Sequence, residues 1–226
     1  MRRQAVGNLL STALDAALAG QTPAARAYLR RERTMWPDRS LAEHVAVAER
    51  RFVAAVTAVG AAAGAAAAAP GVGTVAGAAT NLAEIGAFVE ANVFYVLVVA
   101  EIHDALPDDP ARVRALVLAV LLGDVSEAVV RSAGKLGRYW GREFAQGLPT
   151  EAIELANSVL GKRFMTRWGT RQGALLLGRE FPVLIGAAIG GVGNRVIARK
   201  VVGSVAEAFG PAPPAITSRG SGWMPD

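Results

Sequence analysis

Few residues in this chain can hold a ligand or move a proton, and the ones that can are spread thin. Asn81, Glu84, Asn92, Tyr95 and His103 recur between an apolar run and the next turn. At about 100° per residue they fall near one face of a helix, with Phe88 and Val99, while Glu90 and Glu101 lie opposite. A polar row on an apolar helix suits a solvated side, a buried structural network, or the lining of a cavity. As a network it pairs with Asn194 or Arg195 further along. As a site it predicts an enclosed polar pocket built from Glu84, Asn92, His103, Asn194 and Arg195. Metal chemistry has little to work with. His44 and His103 are the only histidines, and neither stands in a ligand spacing such as H-E-x-x-H.

A second constellation is basic and aromatic. Lys135, Arg138 and Arg142 share a helical face beside Tyr139, Trp140 and Phe144. Arg163, Arg167 and Arg171 recur every fourth residue, with Phe164 and Trp168 on the adjoining stripe. Guanidinium groups beside Trp and Tyr rings suit the headgroup layer of an anionic bilayer. They also suit a nucleic acid, but no nucleic-acid motif accompanies them. The competing reading is an ordinary amphipathic helix with its rings in the core and its Arg in water. The lipid-contact candidates are Lys135, Arg138, Trp140, Arg142, Arg163, Arg167, Trp168 and Arg171.

Known catalytic patterns fail on context. Gly71-Val72-Gly73-Thr74-Val75-Ala76 has dinucleotide spacing, but Ala and Pro precede it where a strand is required. Gly161-Lys162 lacks the remainder of a phosphate loop, and Ser204 has no nucleophile-elbow frame. Glu151 and Glu154 fit the first turn of a helix, where the dipole favours them. The chain has no cysteine, which removes disulfides, thiolate catalysis and zinc–thiolate sites. The reading leans away from an enzyme, and no cofactor is expected.

The elements that must position these residues read as helices throughout, with no strand pattern. Two stretches carry no charge, Phe52–Ala83 and Phe181–Asn194. Each is rich in Ala and Gly, contains a Pro and sits beside basic residues, Arg50 and Arg51 before the first and Arg179, Arg195, Arg199 and Lys200 around the second. The small-xxx-small pairs Gly60/Gly64, Gly73/Gly77 and Gly186/Gly190 allow helix backbones to approach closely. Ala adds almost nothing to membrane insertion, so tight helix packing is favoured over a true span. The expected fold is all-α: a compact multi-helix bundle with two Gly/Ala-rich apolar hairpins.

Residues 1–44 are expected as a helical pair, one helix stopping at Gly20 and another opening at Thr22-Pro23. Residues 45–210 form the main helical domain, and 211–226 a disordered tail rich in Pro, Gly and Ser. Ser40 with Glu43 makes a capping box, and Asp109-Pro110 opens a further helix. Separate helices are expected over 126–146, 150–168, 171–189 and 194–209.

Charge is uneven along the chain. Residues 1–51 hold nine Arg against five acids, 52–134 three basic residues against eight acids, and 135–226 twelve basic against six acidic. Net charge is +5. A basic–acidic–basic layout suits polyanion or anionic-lipid contact through the ends. The N-terminus faintly resembles a signal peptide ending at Ala19, but Asn8 and Asp15 interrupt it and favour an amphipathic helix. The expected location is cytoplasmic, peripheral to the cell membrane.

The segment 48–86, then Val98-Val99-Ala100-Glu101-Ile102 and Asp108-Asp109-Pro110, resembles the EcsC family of bacterial proteins. So do the block from Phe181 to Gly190, Asn194, and the closing Val205–Phe209. The resemblance covers roughly residues 45–210. Glu84 matches the acidic residue that usually follows the family's first apolar hairpin, whereas Leu106-Pro107 departs from the Gly often found before its Asp-Pro turn. The resemblance implies an α-helical, membrane-associated protein with no established activity, and it supplies no catalytic residues. The leading expectation is a non-enzymatic protein at the inner face of a bacterial membrane. Its partner would be anionic lipid or a membrane protein. The alternatives are a soluble oligomeric scaffold that binds a partner protein, and an enzyme with a pocket around Glu84.

Overall fold

The computed structural model describes the backbone of residues 2–67, 74–123, 137–177 and 183–212, and side chains over 11–65, 86–123, 137–166 and 191–212. Among the described residues every regular element is an α-helix. These are α1 (Arg2–Met35), α2 (Leu41–Ala67), α3 (Thr74–Ile102), α4 (Pro110–Leu122), α5 (Gly141–Gly147), α6 (Thr150–Leu177) and α7 (Val183–Phe209).

Local chemistry sets several of the ends. The Ser40 backbone N–H donates to Glu43 Oε2 at 2.7 Å, and the Glu43 N–H returns a bond to Ser40 Oγ at 3.2 Å, so α2 opens with the expected capping box. Asp109 caps α4, accepting from the N–H groups of Ala111 and Arg112 at 2.7 and 3.0 Å, with Pro110 in the first turn. Gly123 ends α4 in the left-handed region (φ +61°). Asp104 closes α3 at φ +53°, and the Ala105 N–H reaches back to Ala100 O at 2.8 Å.

Three expected breaks do not occur. α1 runs unbroken through Gly20 and Pro23, so the N-terminal pair is one helix. Thr22 does not cap a new helix: its hydroxyl donates to Leu18 O at 2.7 Å inside α1. Pro23 leaves the Ala19 carbonyl without its helical partner, but Ala19, Gly20 and Pro23 all lie on the exposed side, where water reaches them. The buried stripe Leu14, Ala17, Leu18, Ala25 and Leu29 carries straight through and docks α1 on α3. Residues 150–168 and 171–189 are likewise not separate helices, because α6 continues to Leu177. α7 then takes in the second uncharged run as one helix through Gly190, Gly191 and Gly193, so within the described residues this run is not a hairpin. The expected turn at Pro70-Gly71, most of helix 126–146, and the tail beyond 212 lie outside the described residues.

The core is continuous from α1 through α7. Beyond Arg114, α4 is apolar all round, with every residue from Ala115 to Leu122 buried, as a central helix must be. α2 packs on α3 and, most extensively, on α7. Three pairs fix the register of α2 against α7. Gly191 lies beside Thr57 and Ala61, Asn194 Nδ2 donates to Val56 O at 3.3 Å, and Arg199 Nη1 meets Glu49 at 3.1 Å. The two helices are therefore antiparallel. Phe52 stacks on Tyr95 at 4.4 Å with rings 4° apart, and α3 follows α2 in the chain. At 1.5 Å per residue, α2 and α7 are each about 40 Å long. The C-terminus of α2 and the N-terminus of α7 thus share one pole, and the C-termini of α3 and α7 the other, where His103 lies 5.5 Å from Phe209.

Candidate functional site

The expected polar row does not face solvent where it is described. Asn92 has no exposed surface, Tyr95 is buried, and His103 is half-buried. Burial holds the His103 imidazole below its ordinary pKa and pushes the Tyr95 phenol well above its own, with Glu49 adding to the latter. Nor do the members converge. Asn92 on α3 and His103 just past its end stand eleven residues apart, about 16 Å along the helix axis. Asn92 Nδ2 donates to Phe88 O of its own helix at 2.7 Å, and its Oδ1 has no hydrogen-bond partner among the described residues. Asn194 spends its amide on Val56 O, joining α7 to α2. Arg195 is exposed, and the Glu84 side chain lies outside the described residues. Among the described residues no group of acids and histidines has the spacing to hold a metal ion.

The basic–aromatic candidates divide between the two poles. Arg138 and Trp140 precede α5, and Arg142 lies within it. Tyr139 packs against Gly210 and Gly141 against Phe209, so α5 sits at the C-terminal pole of α7. Arg138 lies over the Tyr139 ring at 5.8 Å, with Tyr139 itself 47 % exposed. Trp140 turns its ring edge onto Phe144 at 5.5 Å. Arg142 is compensated locally by Asp104 at 2.9 Å. Arg163 is exposed on α6, and 167–171 lie further along that helix with their side chains undescribed. α6 starts beside α4, where Asn157 donates to Ala111 O, and ends at Leu177. Leu177 and Val183 are six steps apart along the chain, a span of at most about 21 Å. The second half of α6 therefore runs toward the charge-poor pole, away from α5. Lys135 lies outside the described residues.

Inspection of sequence spacing alone missed a cluster where α1, α2 and α3 meet. Glu32 on α1 is 4 % exposed and accepts from two arginines, Arg51 Nη1 on Oε1 at 2.7 Å and Arg39 Nη1 on Oε2 at 3.0 Å. Arg51 Nη1 also donates to the Tyr28 hydroxyl at 2.6 Å, and its guanidinium lies over that ring at 5.6 Å. The Glu32 hydrogen bond drives Arg51 further toward its charged form. Beneath this cluster lies a cleft of about 180 Å³, almost wholly apolar, walled by Phe52 and Tyr95 on one side and by Tyr28 and Phe94 on the other. Ala48, Ala55, Ala91 and Val98 complete it. The signal for Glu32 was present: it is the one acid among Arg30, Arg31 and Arg33, placed three and seven residues after the buried Leu29 and Ala25. An acid on the apolar face of a helix needs a partner.

The chain matches no known protein family, no curated protein and no solved structure. No described helix is long and apolar enough to cross a membrane.

Proposed function

We propose that this is a non-enzymatic, EcsC-like protein that works at the cytoplasmic surface of a bacterial membrane and docks on anionic lipid by one pole. The observation that carries the reading is the antiparallel register of α2 on α7. It is consistent with both uncharged runs ending together, because the C-terminus of α2 and the N-terminus of α7 share a pole. Arg163, Arg167 and Arg171 lie on the helix that runs toward that pole. An uncharged end with arginines along a helix that runs toward it suits shallow burial in the headgroup layer with cations on phosphate. The basic residues around α5 stand about 40 Å away at the other pole, so in this reading they do not touch the same bilayer.

Co-sedimentation with phosphatidylglycerol vesicles at low salt tests this. Binding is expected to be lost with phosphatidylcholine alone and to weaken as salt rises. Arg167→Glu with Arg171→Glu should reduce it several-fold, and Arg138→Glu with Arg142→Glu should leave it unchanged. Absence of binding to phosphatidylglycerol at low salt ends the proposal.

A second reading, a soluble helical scaffold for a partner protein or a second copy, draws on a different feature. Val192 and Val196 stand one turn apart on α7 and are 63 % and 52 % exposed. A stable oligomer in detergent-free buffer, disrupted by Val192→Lys, would favour it.

A further inference from the structure

We propose that the cleft between α1, α2 and α3 is a binding site for a single-chain amphiphile bearing a carboxylate, with the chain among the rings and the carboxylate on Arg51.

The walls set the chain. Phe52 and Tyr95 lie flat on one another at 4.4 Å, and Tyr28 meets Phe94 edge to face at 5.5 Å, so both walls are rigid and aromatic. A cavity of about 150 Å³ takes up benzene, so about 180 Å³ suits a tail of roughly six to eight carbons and is too small for two acyl chains. The mouth is open to the ligand: Ala55 is exposed, and Ala91 and Phe94 are half-buried.

The rim sets the head. Arg51 is 54 % exposed, and both of its hydrogen bonds use Nη1. Its Nη2 and Nε have no hydrogen bond among the described residues, and a guanidinium edge matches a carboxylate in plane. Glu32 does not cancel the rim, because one carboxylate stands against two guanidinium groups, Arg39 and Arg51. The other acid nearby, Glu49, is engaged by Arg199 at 3.1 Å. The local balance thus favours an anion. Tyr28 and Glu32 hold Arg51 over the cleft, so its position need not be organised by the ligand.

Titration calorimetry of the full chain with sodium octanoate tests the site. One octanoate should bind per chain, and affinity should rise about fourfold per methylene from butanoate to octanoate, then level off. Arg51→Gln should weaken octanoate at least tenfold and leave octan-1-ol unchanged. Arg51→Lys, which keeps the charge but not the fork, should fall between. Ala91→Phe, at the half-buried mouth, should abolish both ligands while keeping the helical circular-dichroism spectrum of the parent. Equal affinity for octyltrimethylammonium, an unchanged octanoate affinity in Arg51→Gln, or no binding up to about 10 mM would each overturn the assignment. The site does not depend on membrane docking. Ala91→Phe should still sediment with phosphatidylglycerol vesicles. If a two-chain phosphatidylglycerol displaces octanoate, the single-chain assignment is wrong.

Discussion

Replacing Asn92 by Leu should make this protein more stable. The side chain has no exposed surface, and its Oδ1 has no hydrogen-bond partner among the described residues. A buried acceptor left unpaired costs about 1–3 kcal/mol. Its one side-chain bond, from Nδ2 to Phe88 O, stays within the helix and contributes about 0.5–1.5 kcal/mol net. Leu has a similar volume and adds apolar burial in its place. Summing these, Asn92→Leu should gain about 1–3 kcal/mol. For a chain of this size the melting temperature rises by about 2–4 °C for each kcal/mol. Urea unfolding followed by circular dichroism gives the free energy, and a thermal scan gives the temperature shift. A loss of 1 kcal/mol or more would refute the reasoning. It would mean that Oδ1 has a partner, a water or a small polar ligand, and the polar row on α3 would then deserve a functional test.

Glycine substitutions should separate by what their new Cβ meets. At Gly141 it would lie 2.6 Å from the Phe209 ring and 3.1 Å from Ala208 O, so Gly141→Ala should cost about 1–3 kcal/mol by chemical denaturation. At Gly191 the nearest atom is Ala61 Cβ at 3.6 Å, an ordinary contact, so Gly191→Ala should raise stability by up to about 1 kcal/mol through helix propensity. Glu32→Ala strands Arg39 and Arg51 and should lower stability by about 2–4 kcal/mol, with Glu32→Gln milder, both measured in urea. Burial holds His44 and His103 below the ordinary histidine pKa, with Arg39 adding to the effect at His44. The folded state therefore binds fewer protons than the unfolded chain once pH drops below about 6.5. Stability from these two residues should be fully present above that pH and decline below it toward the folded pKa values. His103→Phe should flatten the decline in melts taken between about pH 7 and 5.

Where a signal acts within one turn, it was legible. Ser40 with Glu43, and Asp109 with Pro110, start helices where their spacing says they should, because a cap is a contact between near neighbours. The absence of strands among the described residues was legible for the same reason, since helical periodicity repeats along the sequence. The breaks at Thr22-Pro23 and Gly190–Gly193 were misjudged because tertiary packing decided them. Leu14 to Leu29 holds α1 straight across a weak point, and Gly191 sits against α2 as part of a continuous helix. The described members of the polar row, Asn92, Tyr95 and His103, are buried or half-buried, and periodicity alone could not say whether their face looked to water or to the core. The Tyr28–Glu32–Arg51 cluster joins residues up to 23 positions apart on two helices, and spacing within one helix shows that Glu32 needs a partner without saying which residue supplies it.

The two ends of α7 have opposite characters. One begins in a stretch free of charge, and the other finishes under an exposed tyrosine with arginine laid across it. A rod of this kind sets a distance. Whatever grips the bare end holds the decorated end at a fixed standoff of about 40 Å, turned outward. Two bodies could then be kept apart at a set distance without either touching the other.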